Sequence, residues 1–164
     1  ARASLLTGAP IMAHSRPASD TGPRQVEIFL EEGVAPEKIH IAHTGDTDDL
    51  GYIEGLLDKG VWIGMDRYGL DIFLPTDKRT ATVVALLEKG YAERMFLSQD
   101  FEPPIRGGLD LFPPEMLEQL EPLAKDWSMT FLFESVIPTL KESGMTDEQL
   151  ETMMVENPKR WLTG

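Results

Sequence analysis

Short apolar runs alternate with longer amphipathic segments along the first hundred residues of this chain. The apolar runs, predicted as strands, cover residues 10–14, 38–43, 61–66 and 94–98. Between them, apolar residues at helical spacing predict helices over about 23–32, 47–59 and 76–89. A glycine closes each helix, at Gly33, Gly60 and Gly90, as is common at helix C-termini. Strands and helices that alternate in this way predict parallel βαβ units and an α/β fold.

The segments on either side of these units differ in character. Residues 1–9 resemble the last turns of a helix that ends at Gly8, and residues 101–114 are rich in proline and glycine, which predicts a long loop. Helices are predicted over 129–143 and 147–155, with Thr146 and Gln149 forming a capping box for the second. A last short helix from Asn157 to Leu162 is expected to dock Trp161 on the outside of the fold.

Composition limits the classes of protein that this chain can represent. Its 164 residues, 41% of them hydrophobic, suffice for one domain, residues 1–164. A formal charge of −13 argues against nucleic-acid and anionic-membrane partners, since it repels phosphates. Without cysteine, a metal would need histidine and carboxylate ligands, and we expect a cytoplasmic location. No apolar run reaches the roughly 18 residues of a membrane span.

Potential metal ligands follow three of the four predicted strands. These are His14, His43 and Asp100, and the remaining strand leads into Asp66 and Arg67. The carboxyl ends of parallel strands meet at one edge, so these groups can converge. Two imidazoles and a carboxylate suit Zn²⁺, Fe²⁺, Mn²⁺ or Co²⁺, and such an ion can activate a water molecule. The alternative interpretation of His43 is a partly buried histidine in a turn, next to a solvated acidic run. His40 is assigned to packing or to solvent.

Four sequence motifs, in this order and spacing, resemble one family of enzymes. They are Pro10-Ile-Met-Ala-His14, Ile41-Ala-His-Thr-Gly-Asp-Thr-Asp-Asp49, Gly64-Met-Asp-Arg-Tyr-Gly-Leu-Asp71 and Leu97-Ser-Gln-Asp100. The chain resembles the phosphotriesterase family of the amidohydrolase superfamily. With Leu74-Pro-Thr-Asp-Lys-Arg79, it is most similar to the phosphotriesterase-like lactonases. The resemblance implies an α/β fold, the C-terminal half of a (β/α)₈ TIM barrel (strands five to eight) plus C-terminal helices.

The resemblance also implies an activity and a set of site residues. Such enzymes hydrolyse lactones, commonly acyl-homoserine lactones, and often organophosphate triesters weakly, by means of two divalent metal ions (Zn, Co, Fe or Mn). His14 and His43 would bind the more exposed metal, and Asp100 the more buried one. Asp100 would also take the proton of the metal-bridging hydroxide. Arg67 would contact substrate or pair with Asp46 or Asp66, and Asp46 would assist proton transfer or cap the following helix.

The chain departs from the family pattern in ways that affect these expectations. It contains no His-x-His motif and no counterpart of the metal-bridging lysine. We therefore expect an N-terminal half barrel, supplied by another chain or a missing segment, and the family pattern predicts a homodimer. The exposed edges and face of a half barrel also allow a different function, a non-catalytic binding or assembly module.

The loop after the last strand is a further departure. Gln99 replaces the usual histidine before Asp100, and residues 101–114 differ from the expected loop, so substrate size cannot be carried over. Nearby apolar residues either line a hydrophobic tunnel or pack as ordinary core, and these are Met116, Leu117, Trp127 and Phe131.

Overall fold

A four-stranded parallel sheet forms the centre of the protein. The computed structural model describes residues 1–101, 115, 118, 119, 122 and 124–164. Its strands run in the order β1-β2-β3-β4 and are all parallel. They are β1 (Ile11–His14), β2 (Ile39–Ala42), β3 (Trp62–Met65) and β4 (Met95–Leu97). The parallel α/β architecture predicted from the sequence is confirmed.

Helices connect the strands and follow the last one. The first four are α1 (Arg2–Thr7), α2 (Thr21–Glu31), α3 (Leu50–Leu57) and α4 (Thr76–Glu88). After the sheet come α5 (Ile137–Glu142), α6 (Asp147–Glu151) and α7 (Asn157–Thr163). A π-helical turn, Leu132–Val136, precedes α5, and another, Thr152–Glu156, joins α6 to α7. The predicted loop lies outside the described residues, apart from Phe101.

Two predictions at helix starts have different outcomes. The capping box at the start of α6 is confirmed, because Thr146 and Gln149 satisfy each other's backbone groups. Helix α3 begins later than predicted, and the carboxylate of Asp49 caps it by accepting a hydrogen bond from the Tyr52 N–H at 3.1 Å. The prediction that Asp46 caps this helix is wrong, because its carboxylate binds two arginines instead.

The two faces of the sheet have different surroundings. Since side chains alternate along a strand, residues paired in register share a face. One face, here called the helix face, packs its apolar side chains into the core; examples are Ile39, Ile41, Ile63 and Met65, all fully buried. The opposite face carries Met12, His14, His40, Ala42, Trp62, Gly64 and Phe96.

Trp161 lies against the opposite face, so the prediction that it docks on the outside is wrong. Its ring centroid is 5.5 Å from that of His40 and 5.6 Å from that of Phe96. The physical reason is the anchoring of α7. The side-chain amide of Asn157 donates to the carbonyls of Ala92 and Met95 at 2.7 Å each, at the amino end of β4. The helix thereby carries Trp161, one turn later, onto this face.

Part of the opposite face is uncovered. His40 and Trp62 are buried, whereas Met12 on the edge strand β1 is 65% exposed.

None of the helices in the described residues combines the length and the apolar character that a membrane span requires.

Candidate functional site

His43 is held at the carboxyl end of β2 by a single carboxylate. Its backbone adopts a left-handed conformation, φ +63°, which is rare for a residue with a side chain. Asp66, which follows β3, accepts hydrogen bonds from the His43 backbone N–H and from ring Nδ1, both at 3.0 Å. Both residues are almost fully buried. Because Nδ1 donates to the carboxylate, Nε2 is left as the ring atom that carries the lone pair, and it lies at hydrogen-bond distance from His14 Nδ1.

This nitrogen faces the second imidazole of the site. His43 Nε2 and His14 Nδ1 are 3.0 Å apart, and the two rings meet edge to face with centroids separated by 4.5 Å. The side-chain amide of Gln25 donates to the carbonyl of His14 at 2.9 Å and supports the end of β1. Two ring nitrogens that are distant in the sequence therefore converge at the strand ends.

Arg67 connects two carboxylates beside this pair. Its Nη1 donates to Asp46 Oδ2 at 2.8 Å, and its Nε donates to Asp100 Oδ2 at 3.0 Å. The same oxygen of Asp100 lies 3.8 Å from His43 Nδ1. Arg67 and Asp100 both have left-handed backbones, φ +61° and +49°. Of the two ion-pair partners predicted for Arg67, the one observed is Asp46, whereas Asp66 is engaged by His43.

The surroundings of the two other histidines favour their neutral forms. Partial desolvation, and then the nearby His43 and Arg67, lower the pKa of His14. Burial lowers the pKa of His40 to about 4. Its ring lies 4.6 Å from that of Phe96, which makes it a packing residue, one of the two roles predicted for it. A neutral imidazole is also the form that binds a metal, so the environment of His14 is compatible with ligation.

The donor set fits a divalent metal ion in chemistry and nearly in spacing. Two nitrogens bound to one tetrahedral zinc, each at about 2.1 Å, lie about 3.4 Å apart, close to the 3.0 Å between His43 Nε2 and His14 Nδ1. A carboxylate on the other ring nitrogen is a common support for a ligating histidine. Within the described residues, however, no three histidine or carboxylate side chains are arranged to hold an ion. The assignment of His14, His43 and Asp100 as metal ligands therefore stays a prediction.

The site contains two residues whose observed contacts the sequence analysis did not predict. Asp66 was noticed only as a strand end or as a partner for Arg67, yet it fixes both the backbone and the ring of His43. Arg79 was noticed only within a family motif, yet it is fully buried and contacts Asp46 at 3.0 Å. A charged residue one position after an exposed lysine, at the start of a helix, gives no local signal of burial.

Of the candidate tunnel residues, Trp127 donates to the carbonyl of Gln99 at 3.2 Å and Phe131 packs on the core, whereas Met116 and Leu117 lie outside the described residues.

A parallel α/β sheet with paired imidazoles and carboxylates at its strand ends defines a candidate hydrolase site. Residues 1–162 match the model of the phosphotriesterase family, and the chain belongs to that family. It is 44% identical over 157 residues to an aryldialkylphosphatase of Saccharolobus solfataricus, covering 96% of this chain and 48% of that protein.

Solved structures of similar proteins extend this result to the fold. The phosphotriesterase from Mycobacterium tuberculosis matches with a TM-score of 0.82 and 38% identity, over 94% of this chain and 46% of its own. A mutant of a phosphotriesterase-like lactonase from Deinococcus radiodurans matches with a TM-score of 0.81 and 32% identity, over 98% of this chain and 49% of its own. The chain thus spans about half the length of the relatives that it matches.

Proposed function

We propose that this chain forms the C-terminal half, strands five to eight, of a metal-dependent hydrolase that opens lactones. Acyl-homoserine lactones or related lactones are the proposed substrates, with weaker activity on phosphotriesters. One observation carries the proposal. His43 Nε2 and His14 Nδ1 converge to 3.0 Å at the strand ends, while Asp66 holds the other ring nitrogen of His43.

The residues of this chain would divide the work of hydrolysis between them. Bound divalent metal ions supply a Lewis acid and a water molecule that is acidic enough to attack at neutral pH. His14 and His43 would hold one ion, with Asp66 orienting the His43 ring. The carboxylate of Asp100, the more exposed of the site's acids, would bind the second ion and accept the proton of the attacking water. Arg67 would contact the substrate, and Asp46 would bind its guanidinium.

The lactone assignment has support from the family as well as from the site. One similar structure is named a phosphotriesterase-like lactonase and one relative an aryldialkylphosphatase. Both reactions place an electrophilic carbon or phosphorus centre beside a polarised oxygen, so one arrangement of ligands serves both. The size of the lactone depends on the segment after Phe101, which lies outside the described residues.

The proposal requires a second half barrel. The relatives are about twice as long as this chain, and the described residues bring together two imidazoles and not a full set of ligands. We propose that an N-terminal half, from another chain or from the remainder of a longer one, completes the site. The homodimer and the cytoplasmic location stay predictions.

Substitution His43→Ala in the complete protein, meaning this chain together with the other half barrel, tests the proposal. We expect loss of about one metal ion per site and at least a 100-fold drop in lactone hydrolysis, measured by metal analysis and by kinetics with lactones of several chain lengths. Lys78→Ala is the control, because Lys78 is exposed and pairs only across the surface with Asp48 at 3.4 Å. Unchanged metal content and rate in His43→Ala would overturn the assignment.

A second candidate, a non-catalytic binding module, is favoured by one observation. Met12 is 65% exposed on a sheet face that is otherwise partly buried, which suits a surface that a partner covers. The same measurements of metal content and lactone hydrolysis distinguish the two functions. A complete protein that assembles but binds no divalent ion and opens no lactone would be a binding module.

A further inference from the structure

The fully buried Arg79 is the starting point, because a buried guanidinium needs partners to offset its desolvation. It lies in the first turn of α4, and the preceding residue, Lys78, is 58% exposed in its side chain. The neighbouring Asp77 is exposed, and the buried hydroxyl of Thr80 donates to the carbonyl of Thr76 in the same helix at 2.8 Å, so neither residue requires a charge here. The reason for the charge must lie in what the guanidinium contacts.

Those contacts join two of the loops that carry residues of the candidate site. Arg79 Nη1 donates to the carbonyl of Gly45 and, at 3.0 Å, to Asp46 Oδ1, both in the loop after β2. Its Nη2 reaches the carbonyl of Leu74, in the loop after β3, at 3.4 Å. One side chain of α4 therefore ties together two loops at the carboxyl ends of the strands.

Asp46 connects Arg79 to Arg67, because its carboxylate accepts hydrogen bonds from both guanidinium groups. One oxygen of Asp46 accepts from Arg79, and the other accepts from Arg67 Nη1 at 2.8 Å. Arg67 in turn donates from Nε to Asp100 at 3.0 Å. The four side chains alternate in charge, from the buried Arg79 through Asp46 and Arg67 to the partly exposed Asp100.

The packing around Gly45 shows how closely the loop after β2 approaches Arg79. A Cβ atom at this position would lie 3.1 Å from Arg79 Nη1 and 3.2 Å from the Cα of Met65. The loop backbone thus approaches the guanidinium so closely that a side chain would displace one or the other.

We propose that Arg79 is a positioning residue that, by anchoring Asp46, fixes the direction in which Arg67 points at the strand ends. Without Arg79, both oxygens of Asp46 are free to engage Arg67, which draws its guanidinium away from Asp100. The position of Arg67 does not depend on which reaction the protein performs. Only the effect on catalysis rests on the proposed function.

The test replaces Arg79 and follows Arg67 directly in the complete protein. In protein with ¹⁵N-labelled arginine, the Nε–H signal of Arg67, assigned by its loss in Arg67→Lys, should exchange slowly with water because Nε–H donates a hydrogen bond to Asp100. Arg79→Met should speed this exchange at least tenfold, whereas Lys78→Met on the same helix should leave it unchanged. Arg79→Lys, which keeps the charge but cannot reach three oxygens in two loops, is the second variant if Arg79→Met fails to fold, and it should speed exchange to an intermediate extent.

Measurements of kcat/KM test whether the effects of substituting Arg67 and Arg79 on catalysis are additive. We expect Arg79→Met to lower kcat/KM for a lactone about tenfold, the lower end of the range found for residues that support a site. The double variant Arg67→Met/Arg79→Met should be no slower than Arg67→Met alone, because Arg79 acts through Arg67.

The outcomes separate this proposal from the proposed function. Unchanged Arg67 exchange in a folded Arg79 variant would overturn the positioning role, as would effects of Arg67 and Arg79 that simply multiply. A wild-type protein that shows slow Arg67 exchange and its loss in Arg79→Met, but opens no lactone, would overturn the proposed function and leave the positioning role standing.

Discussion

At the scale of single residues, the site depends on backbone conformations that side chains rarely adopt. His43, Arg67 and Asp100 all have positive φ angles, and each follows the end of a strand. Strained residues of this kind persist when surrounding contacts hold them, and they cluster at functional sites. For His43 these contacts are the two hydrogen bonds that Asp66 accepts, one from the backbone N–H and one from the ring. The site is thus built by contacts across strands.

Gly64 leaves the space that Asp66 and His40 occupy. A Cβ atom there would lie 2.6 Å from Asp66 Oδ2 and 2.9 Å from His40 Nε2. We expect Gly64→Ala to lower the free energy of unfolding by about 1–3 kcal/mol, the usual cost of overpacking, as measured by urea denaturation. Gly55→Ala is the matched control, since its Cβ would meet nothing within 4 Å and alanine favours the helix by about 0.5–1 kcal/mol. Equal stability of the two variants would contradict the packing argument.

His40 makes the stability depend on pH. Burial lowers its pKa to about 4, against a counteracting effect of Asp66, while His43 lowers it further. In the unfolded chain the pKa is about 6.5, so the unfolded state binds the proton first as the pH falls. Stability is therefore full above about pH 6.5 and is lost between pH 6.5 and 4, by about 3 kcal/mol.

The measurement is urea denaturation from pH 7.5 to 4. His40→Asn, which cannot take up the proton, should show a correspondingly flatter pH dependence than the wild type. Parallel curves for the two proteins would show that His40 does not titrate as its burial requires.

At the scale of elements, α7 is docked by one amide, one indole and one guanidinium, and the last of these, Arg160, donates to the carbonyl of Glu93 at 3.2 Å and pairs with its carboxylate. Asn157 is fully buried and satisfies two carbonyls at the amino end of β4, while Trp161 covers part of the opposite face of the sheet. The first is a polar anchor and the second an apolar cover. Their spacing of four residues places both on the same side of the helix.

Asn157→Ala should detach this helix. It leaves the buried Met95 carbonyl and the partly buried Ala92 carbonyl without their donor, so we expect a loss of about 1–3 kcal/mol in the free energy of unfolding, most of it from Met95. Tryptophan fluorescence during denaturation should report the change, because Trp161 moves with α7. Lys159→Ala is the control, since its exposed pair with Glu156 at 3.6 Å contributes about 0.5 kcal/mol or less. A loss no larger than that of the control would mean that the contacts of Trp161 and Arg160 hold the helix without Asn157.

At the scale of the whole molecule, the sheet has two edges and one face that is only partly covered. The outer sides of β1 and β4 pair with no other strand of the described residues. Met12 remains largely exposed on β1. An open parallel sheet with such edges suits closure by further strands, as in a barrel.

Met12→Asp should therefore weaken association with the other half barrel. Burying a methionine contributes about 1.5–3 kcal/mol, so we expect the dissociation constant of the two separately produced halves to rise at least tenfold. Ile28→Asp on α2 is the control, because Ile28 is similarly exposed but lies on a helix and not on the sheet face. Equal affinities of the two variants, measured by sedimentation, would mean that a partner does not cover this face.

The sequence by itself determined the order of the elements and the positions of the candidate ligands. Apolar residues recur with a period of two in strands and of 3.6 in helices, and this pattern can be recognised in short stretches of sequence, so the parallel sheet was predictable. Because parallel strands end at one edge, the convergence of His14 and His43 followed from the same pattern.

Only the tertiary structure decided how these groups meet. The left-handed turn at His43, the role of Asp66 and the buried path from Arg79 to Arg67 join residues that are 20 or more positions apart. Trp161 reached the opposite face because Asn157 anchors its helix to β4 across more than 60 positions. Such contacts arise from packing and charge pairing between elements, which no local period encodes.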